Sequence, residues 1–153
     1  MTGHIAYLQR SEQFCAGHRM HNPKFDVSTN KKIFGKCNND NGHGHNYTLV
    51  VTVKGMVDKD TGMVINLFDL KRYIHQIVEP LDHKMLNKDI EYFLAPDTTN
   101  DTSIDTSTIN IPSAENIALY VWNEMEKVLP ENVKMHRVKL YETDKNCVEY
   151  RGE

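Results

Sequence analysis

The sequence predicts an α+β fold in which helices cover one face of an antiparallel sheet. Alternating apolar residues near both ends of the chain predict strands, and two segments between them carry apolar residues at helical spacing. The order strands, helices, strands is typical of this class rather than of alternating α/β folds. The chain has 153 residues, of which 39% are hydrophobic. It is long enough for one core, so we expect a single domain over residues 1–153.

The N-terminal strands are predicted from side chains that alternate between two faces. Segment 4–18 is strand-like at its end, where three residues share one face: Phe14, Ala16 and His18. Residues 19–42 are rich in Asn, Asp and Gly, which favour turns, so this segment is predicted to be a loop. The clearest strand covers 43–54, with one face formed by His43, His45, Tyr47, Leu49, Val51 and Val53. A turn and a short returning strand, 63–66, would make 47–66 an antiparallel hairpin.

Two helices are predicted in the middle of the chain. Residues 68–79 carry an apolar stripe and end before Pro80, which cannot continue a helix. Residues 115–129 carry a second stripe, with Ser113 as the N-cap. Between the helices, the tract 97–110 is rich in Thr, Ser, Asp and Asn. We expect it to be a solvated loop or locally disordered.

The C-terminal part alternates again and predicts two more strands. One face is formed by His136, Val138, Leu140 and Glu142. A turn at 144–146 would lead into a last strand through Val148.

Composition excludes several classes of function. Lys and Arg number 18 against 21 Asp and Glu, a net charge of −3, so we expect no nucleic-acid partner. The longest apolar runs are far shorter than a membrane span, and no hydrophobic signal region follows Met1. We therefore expect no membrane partner and a cytoplasmic protein. The 3 cysteines are an odd number, which argues against a disulfide framework.

A zinc site is predicted from the run Gly42-His43-Gly44-His45. Residues two apart on a strand project to the same side, about 6.6 Å apart, so two imidazoles can converge on one ion. His18 is the expected third ligand because it ends the face of Phe14. Three histidines leave a coordination position open, as in catalytic metal sites. The competing interpretation is a polar strand end with two solvated histidines.

Other candidates for chemistry are a thiol and two acidic positions. Cys37 stands in a polar, glycine-flanked segment six residues before His43, and a thiol near a metal is more easily deprotonated. Asp82 and His83 could form a base with an orienting carboxylate. Glu142 is either at a solvated strand end or placed to accept ligand N–H groups. The remaining thiols, Cys15 and Cys147, are interpreted as structural.

The chain resembles the 6-pyruvoyl-tetrahydropterin synthase family from about residue 10 to its end. The block from Cys37 to Tyr47 is the most specific part of the resemblance. The matching segments are Phe14-Cys15-Ala16-Gly17-His18-Arg19, Phe34-Gly35-Lys36-Cys37-Asn38-Asn39, Asn41-Gly42-His43-Gly44-His45-Asn46-Tyr47, Thr61-Gly62-Met63-Val64, Pro80-Leu81-Asp82-His83-Lys84, Glu115-Asn116 and Tyr141-Glu142-Thr143.

The resemblance implies a tunnelling fold. Its subunit has a four-stranded antiparallel sheet with two helices on one face. Three subunit sheets close into a barrel, and two trimers stack into a homohexamer with active sites between subunits. The implied zinc ligands are His18, His43 and His45. The implied catalytic residues are Cys37, Asp82, His83 and Glu142, and the implied substrate-binding residues are Glu142, as pterin anchor, with Ser113 and Glu115.

The resemblance also implies a zinc-dependent lyase of tetrahydrobiopterin biosynthesis. It would convert the small molecule 7,8-dihydroneopterin triphosphate to 6-pyruvoyl-tetrahydropterin and release triphosphate. Two features depart from the family pattern, namely the apparent insertion over 97–110 and Ala114 in place of a second hydroxyl residue. Candidates for triphosphate contacts, by proximity in the sequence alone, are Lys36, Arg19 and Lys84.

Two alternatives remain open at the level of sequence. A 6-carboxy-tetrahydropterin synthase shares much of the constellation, and its products would distinguish it. A non-catalytic metal-binding module, such as a cupin-like barrel, also uses a His-x-His strand. Cupins place a Glu a few residues later, where this chain has Leu49 and Val50.

Overall fold

A computed structural model of the protein describes residues 3–94 and 109–153. One sheet has the strand order β3-β1-β2-β4-β5. The strands are β1 (Ile5–His18), β2 (His43–Met56), β3 (Lys84–Met85), β4 (Val133–Tyr141) and β5 (Cys147–Tyr150). The α-helices are α1 (Val27–Phe34), α2 (Leu67–Val78), α3 (Leu86–Asp89) and α4 (Ala114–Val128), and short 3₁₀ helices cover Gly35–Asn38 and Glu91–Phe93.

The sheet has five strands and is mixed, so the expectation of four antiparallel strands was wrong. The added strand, β3, runs parallel to β1 and pairs Lys84 with Ala16 and Met85 with Gly17. A two-residue strand is too short to show an alternating pattern, so nothing in the sequence indicates it. The other neighbouring strands, β1 with β2, β2 with β4 and β4 with β5, pair antiparallel.

The predicted returning strand over 63–66 was wrong. Strand β2 already has a neighbour on each side, β1 and β4, so no edge of β2 is left for a hairpin partner. Residues after β2 form a loop in which Asp58 Oδ1 accepts the backbone N–H of Thr61 at 2.8 Å. The Asp58 N–H in turn donates to the Met63 carbonyl at 2.9 Å. The turn chemistry is therefore local and ends without a strand.

The segment 19–42, expected to be a loop, contains α1 and the 3₁₀ helix Gly35–Asn38. Asp26 caps α1 by accepting the Thr29 N–H at 2.6 Å. Asn30 is fully buried, and its side chain donates to the carbonyls of Asn22 and Phe25. Polar contacts therefore stabilise this helix, and its sequence carries no apolar stripe from which it could be predicted.

The two long helices are close to the predictions. Helix α2 starts and ends one residue before the predicted 68–79, and α4 does so relative to the predicted 115–129. Ser113 is the N-cap, and its hydroxyl accepts the Asn116 N–H at 3.2 Å. The predicted polar loop at 97–110 lies for the most part outside the described residues.

The core lies between the two long helices and one face of the sheet. Strand β2 contributes four side chains with 0% exposure: Tyr47, Leu49, Val51 and Val53. Helices α2 and α4 bury the opposing side chains, among them Leu70, Ile74, Ile117, Val121 and Met125. Each large apolar side chain of this kind contributes roughly 1.5–3 kcal/mol by leaving water. This packing holds β2, which carries two of the candidate metal ligands, at the centre of the sheet.

A bulge in β4 changes the predicted faces of that strand. Thr52 pairs with Arg137 and Val53 with Met135, which leaves His136 as the extra residue. Met135 is therefore buried, and the ring of His136 lies 4.6 Å from that of Tyr7. The prediction that His136 shares the face of Val138 was wrong for this reason. The bulge precedes Val138, so the course of the strand toward Glu142 is unaffected.

Among residues 3–94 and 109–153, no helix has the length and apolar character needed to cross a bilayer.

Candidate active site

Three imidazoles meet where β1 ends and β2 begins. His18 and His43 are directly paired across these antiparallel strands, and His45 lies two residues further along β2. The Nε2 atoms of His18 and His43 are 3.1 Å apart, and the three residues offer nitrogens that all lie within 4.8 Å of one another. Two nitrogens bound tetrahedrally to zinc lie about 3.3 Å apart, since each Zn–N bond is about 2.0–2.1 Å. The group could therefore hold a metal ion.

The orientation of His18 is set by a buried hydrogen bond. Its Nδ1 lies 2.6 Å from the carbonyl of Pro112. A carbonyl can only accept, so Nδ1 carries the proton and the Nε2 lone pair points toward the other two histidines. The residue is 2% exposed, which fixes the ring. Metal-binding histidines are commonly held by such an outer hydrogen bond.

His45 has a buried ring nitrogen that is left unpaired. Its Nε2 has no hydrogen-bond partner, and the nearest carboxylate oxygen, Glu142 Oε1, is 3.5 Å away. A buried polar atom without a partner costs about 1–3 kcal/mol. A metal ion held by three neutral imidazoles would satisfy this atom, so the residues present fit a divalent cation such as zinc.

Burial favours the neutral, metal-binding form of His18 and His45. It lowers the pKa of His18, an effect partly offset by the hydrogen bond to Pro112. Burial also lowers the pKa of His45, with a partial offset from Glu142. Imidazoles must be deprotonated to bind a metal, so both shifts prepare the site for an ion.

We expect the metal-free protein to lose stability as the pH falls below about 6.5, the ordinary histidine pKa. Above that value His18 and His45 are neutral in both folded and unfolded chains and add no pH dependence. Below it the unfolded chain takes up protons first, because the folded-state pKa values are lower. Thermal unfolding of metal-free protein between pH 5 and pH 8 measures this. A flat midpoint over that range would contradict it, and a His18→Gln variant should show a weaker pH dependence than the parent.

A cleft of about 460 Å³ adjoins the histidines and collects most of the remaining predicted residues. The members predicted from sequence are His18, Cys37, Ser113, Glu115 and Glu142. Four segments that are distant in the chain therefore meet at one opening. Lys145, Asn146 and Cys147 also line the cleft, although they are not among the residues predicted for the site. The signal for them was the predicted turn that directly follows Glu142.

Cys37 is held at the cleft by the 3₁₀ helix Gly35–Asn38. Its carbonyl accepts the backbone N–H of Met20 at 2.9 Å, just past the end of β1. The neighbouring Asn38 is buried and donates from its side chain to the Met20 carbonyl, also at 2.9 Å. These two contacts join the 3₁₀ helix to the strand that ends in His18. Cys37 itself is half-buried and free.

Glu142 reaches the site from the end of β4. Its backbone N–H donates to the Asn146 carbonyl at 3.1 Å and closes the turn into β5. The side chain is 25% exposed, with one oxygen toward His45 and the rest lining the cleft. A partly desolvated carboxylate in this position can accept two N–H groups of a flat heterocycle.

Asp82 and His83 form a pair but do not line this cleft. Asp82 Oδ2 lies 2.9 Å from His83 Nδ1, while Asp82 Oδ1 accepts the Cys15 N–H at 2.8 Å. Both hydrogen bonds lower the pKa of Asp82, and the one from the Cys15 N–H has the larger effect. The His83 side chain is 81% exposed. The pair is therefore preformed on the outer edge of β1, apart from Cys37 in the same chain.

The backbone of His83 adopts an uncommon conformation. Its φ is +59°, in the left-handed region that a non-glycine residue seldom occupies. The His83 N–H donates to the Cys15 carbonyl at 2.6 Å, which holds the strained turn against β1. Strain of this kind is often found at functional positions.

The other two cysteines are exposed, so their interpretation as buried structural residues was wrong. Cys15 lies on the exposed face of β1, and Cys147 lines the cleft that contains Cys37. For Cys15 strand alternation already gives the face opposite Phe14 and Ala16, and that face is the open one.

Comparison with known proteins gives a consistent result. The family described as 6-pyruvoyl tetrahydropterin synthase matches residues 7–153. The human 6-pyruvoyl tetrahydrobiopterin synthase is 47% identical over 149 residues, covering 97% of this chain and 92% of the relative. The solved structure of the Caenorhabditis elegans 6-pyruvoyl tetrahydropterin synthase superposes with a TM-score of 0.84 at 34% identity, covering 100% of both chains.

A second kind of relative is more distant. A putative 6-carboxy-5,6,7,8-tetrahydropterin synthase from Archaeoglobus fulgidus is 32% identical over 109 residues, which cover 71% of this chain and 75% of the relative. The match to the family described above is longer, and the identity to the human relative is higher. With its fold, its three histidines and its cleft, the chain belongs to the 6-pyruvoyl tetrahydropterin synthase family.

Proposed function

We propose that the chain converts 7,8-dihydroneopterin triphosphate to 6-pyruvoyl-tetrahydropterin and triphosphate, a step of tetrahydrobiopterin biosynthesis. The observation that carries this proposal is the cleft in which a three-histidine group, a free thiol and a carboxylate meet. The names of the human and nematode relatives support the same reaction.

His18, His43 and His45 are the residues that would hold the metal, which we propose to be zinc. Bound there, zinc supplies Lewis-acid stabilisation for negative charge that develops on oxygens of the substrate's side chain. The three imidazoles are neutral donors, which preserves the full charge of the ion.

Glu142 is the proposed pterin anchor. Its carboxylate would accept the ring N–H and the exocyclic amino N–H of the pterin, a two-point contact that orients a planar ring. Ser113 and Glu115 line the same cleft, so a bound ring would contact the start of α4. The Ser113 oxygen already accepts the Asn116 N–H, but its own O–H remains free to donate.

Cys37 is the proposed base that moves one proton on the substrate's side chain. Thiols remove protons as thiolates, and a cation close by favours that form. His83, oriented by Asp82, is the proposed second proton-transfer group. The hydrogen bond at 2.9 Å to Asp82 fixes which ring nitrogen of His83 is available for transfer.

Cys37 and His83 would act together across an interface between two copies of the chain. Within one chain the Asp82 and His83 pair does not line the cleft. The outer edge of β1 has a strand partner only at Ala16 and Gly17, so in the described structure its first part is an open sheet edge. A second copy would cover that edge and could bring His83 to the neighbour's cleft. We propose the homohexamer, a dimer of trimers, as the assembly.

Co-expression of two inactive variants tests the shared site. Cys37→Ala and His83→Ala should each be inactive alone. If each site takes Cys37 from one chain and His83 from another, random pairing should return roughly a quarter of the parent activity per site. Turnover of the purified mixed oligomer measures it. A mixture as inactive as its components would place both residues in one chain and contradict the proposal.

Product analysis tests the function itself. Purified, zinc-loaded protein is incubated with 7,8-dihydroneopterin triphosphate, and the pterins and phosphates are separated and identified. We expect 6-pyruvoyl-tetrahydropterin and triphosphate. Carboxy-pterin with acetaldehyde would instead establish the 6-carboxy-tetrahydropterin synthase reaction, for which the archaeal relative is named. No conversion at all, with metal bound, would favour a non-catalytic metal-binding module.

A further inference from the structure

A second and larger cleft, of about 940 Å³, lies beside the candidate active site. Six of its polar or charged side chains are Arg19, His21, Lys31, Lys36, Asn38 and Asp40. Three of these are cationic and one is anionic, so with neutral histidine the cleft carries a local charge of plus two. The whole chain has a net charge of −3. Positive charge is therefore concentrated here against the overall balance.

The first cleft has the opposite charge. Its charged lining residues are Glu115, Glu142 and Lys145, a local charge of minus one. A carboxylate-lined opening suits the N–H groups of a pterin but repels a polyanion. A substrate with a flat heterocycle at one end and a triphosphate at the other would therefore extend from one cleft into the second.

At two places in the chain, consecutive residues line the two different clefts. His18 lines the first cleft and the next residue, Arg19, lines the second. Cys37 lines the first cleft, and its neighbours Lys36 and Asn38 line the second. Neighbouring Cα atoms are about 3.8 Å apart, and successive side chains of a 3₁₀ helix point about 120° apart. If the substrate's short side chain is bound at the three histidines, its far end would therefore lie close to the cationic cleft.

The cations of the second cleft differ in how they are held. Arg19 donates from Nε to the Asn38 carbonyl at 3.0 Å and pairs with Asp40 at 2.6 Å. Lys31 and Lys36 have no salt-bridge partner among the described residues, whereas other lysines, such as Lys127, do. Two uncompensated ammonium groups facing one concave surface are suited to an anion with several charges.

We infer that this second cleft binds the triphosphate tail of the substrate. Lys31 and Lys36 would pair directly with the phosphates, and Arg19 would contribute a cation that Asn38 and Asp40 hold in place. This assignment rests on the proposed function for the identity of the anion. Triphosphate would also be held there as a product after its bond to the pterin side chain has been broken.

Calorimetric titration of the zinc-loaded protein with inorganic triphosphate tests the assignment. Lys31→Gln and Lys36→Gln should each weaken binding by about tenfold, as expected for the loss of one charge-assisted contact. The matched control is Lys32→Gln. Lys32 is exposed and lies next to Lys31 in α1, but it does not line the cleft. Any competition of triphosphate for the metal is common to all variants. Equal affinities in the three variants, or binding of inorganic monophosphate as tight as triphosphate, would overturn the inference.

Kinetics separate this inference from the proposed function. Lys36→Gln should raise KM for 7,8-dihydroneopterin triphosphate about tenfold, while binding of dihydroneopterin without phosphates stays unchanged. If the lysine variants lose triphosphate affinity but the parent forms no product, the anion site is supported and the proposed reaction is contradicted. If the parent forms the product and the lysine variants bind triphosphate as tightly as the parent, the proposed reaction is supported and the assignment of the second cleft is contradicted.

Discussion

Replacing Cys37 by alanine should lower kcat by about 10² to 10⁴, the range typical for loss of a proton-transfer group. Cys37 lines the same cleft as His18, and its thiol makes none of the contacts that hold the 3₁₀ helix Gly35–Asn38. Those contacts come from the Cys37 carbonyl and the Asn38 side chain. We therefore expect unchanged folding and metal content, measured by thermal unfolding and by metal analysis of the variant.

Two further variants sharpen this prediction. Cys37→Ser keeps the size of the side chain but replaces the thiol by a hydroxyl that ionises much less readily, so it should also be nearly inactive. Cys15→Ala removes an exposed thiol outside the cleft and leaves the backbone groups that contact Asp82. It should retain parent activity. Full turnover by Cys37→Ala would remove Cys37 from the proton-transfer set.

Replacing His45 by alanine should abolish tight metal binding and, with it, turnover. Only two of the three neighbouring imidazoles would remain, and two ligands hold zinc far more weakly than three. The loss also removes a buried nitrogen that has no protein partner. The metal-free variant is therefore expected to unfold at a temperature no lower than that of the metal-free parent.

Metal content and added zinc are the measurements for this prediction. The parent should bind one zinc per chain, lose activity when a chelator removes it and regain activity on readdition. His45→Ala should bind substoichiometric zinc and stay inactive at micromolar zinc. The control is His75→Ala, which removes a side chain that is 64% exposed on α2 and outside both clefts. Equal metal affinity in parent and His45→Ala would show that the three histidines are not the metal site.

The relation between His43 and His45 could be predicted from the sequence because it is local. Strand alternation places residues two apart on one face, and the apolar positions from Tyr47 to Val53 identify that face as the buried one. The same local reasoning located α2 and α4, because their apolar stripes are long, Pro80 follows the first and Ser113 caps the second. Family resemblance supplied the roles of Cys37 and Glu142, which local pattern left open.

Features that depend on contacts between distant segments were not predictable in this way. The bulge at His136, the central place of β2 and the parallel strand β3 are each decided by pairing with another strand. Helix α1 was missed because buried hydrogen bonds of Asn30, rather than an apolar stripe, hold it. The separation of Asp82 and His83 from the cleft likewise depends on how the turn after α2 docks against Cys15.

By itself, the sequence determined the two long helices, the buried face of β2 and the placement of two histidines on that face, because periodicity is a property of neighbouring residues. Only the tertiary structure decided that His18 lies opposite His43, that Cys37 and Glu142 line the same cleft, and that a cationic cleft adjoins it. These relations arise when segments far apart in the chain bury a common core, and that energy depends on all of them together.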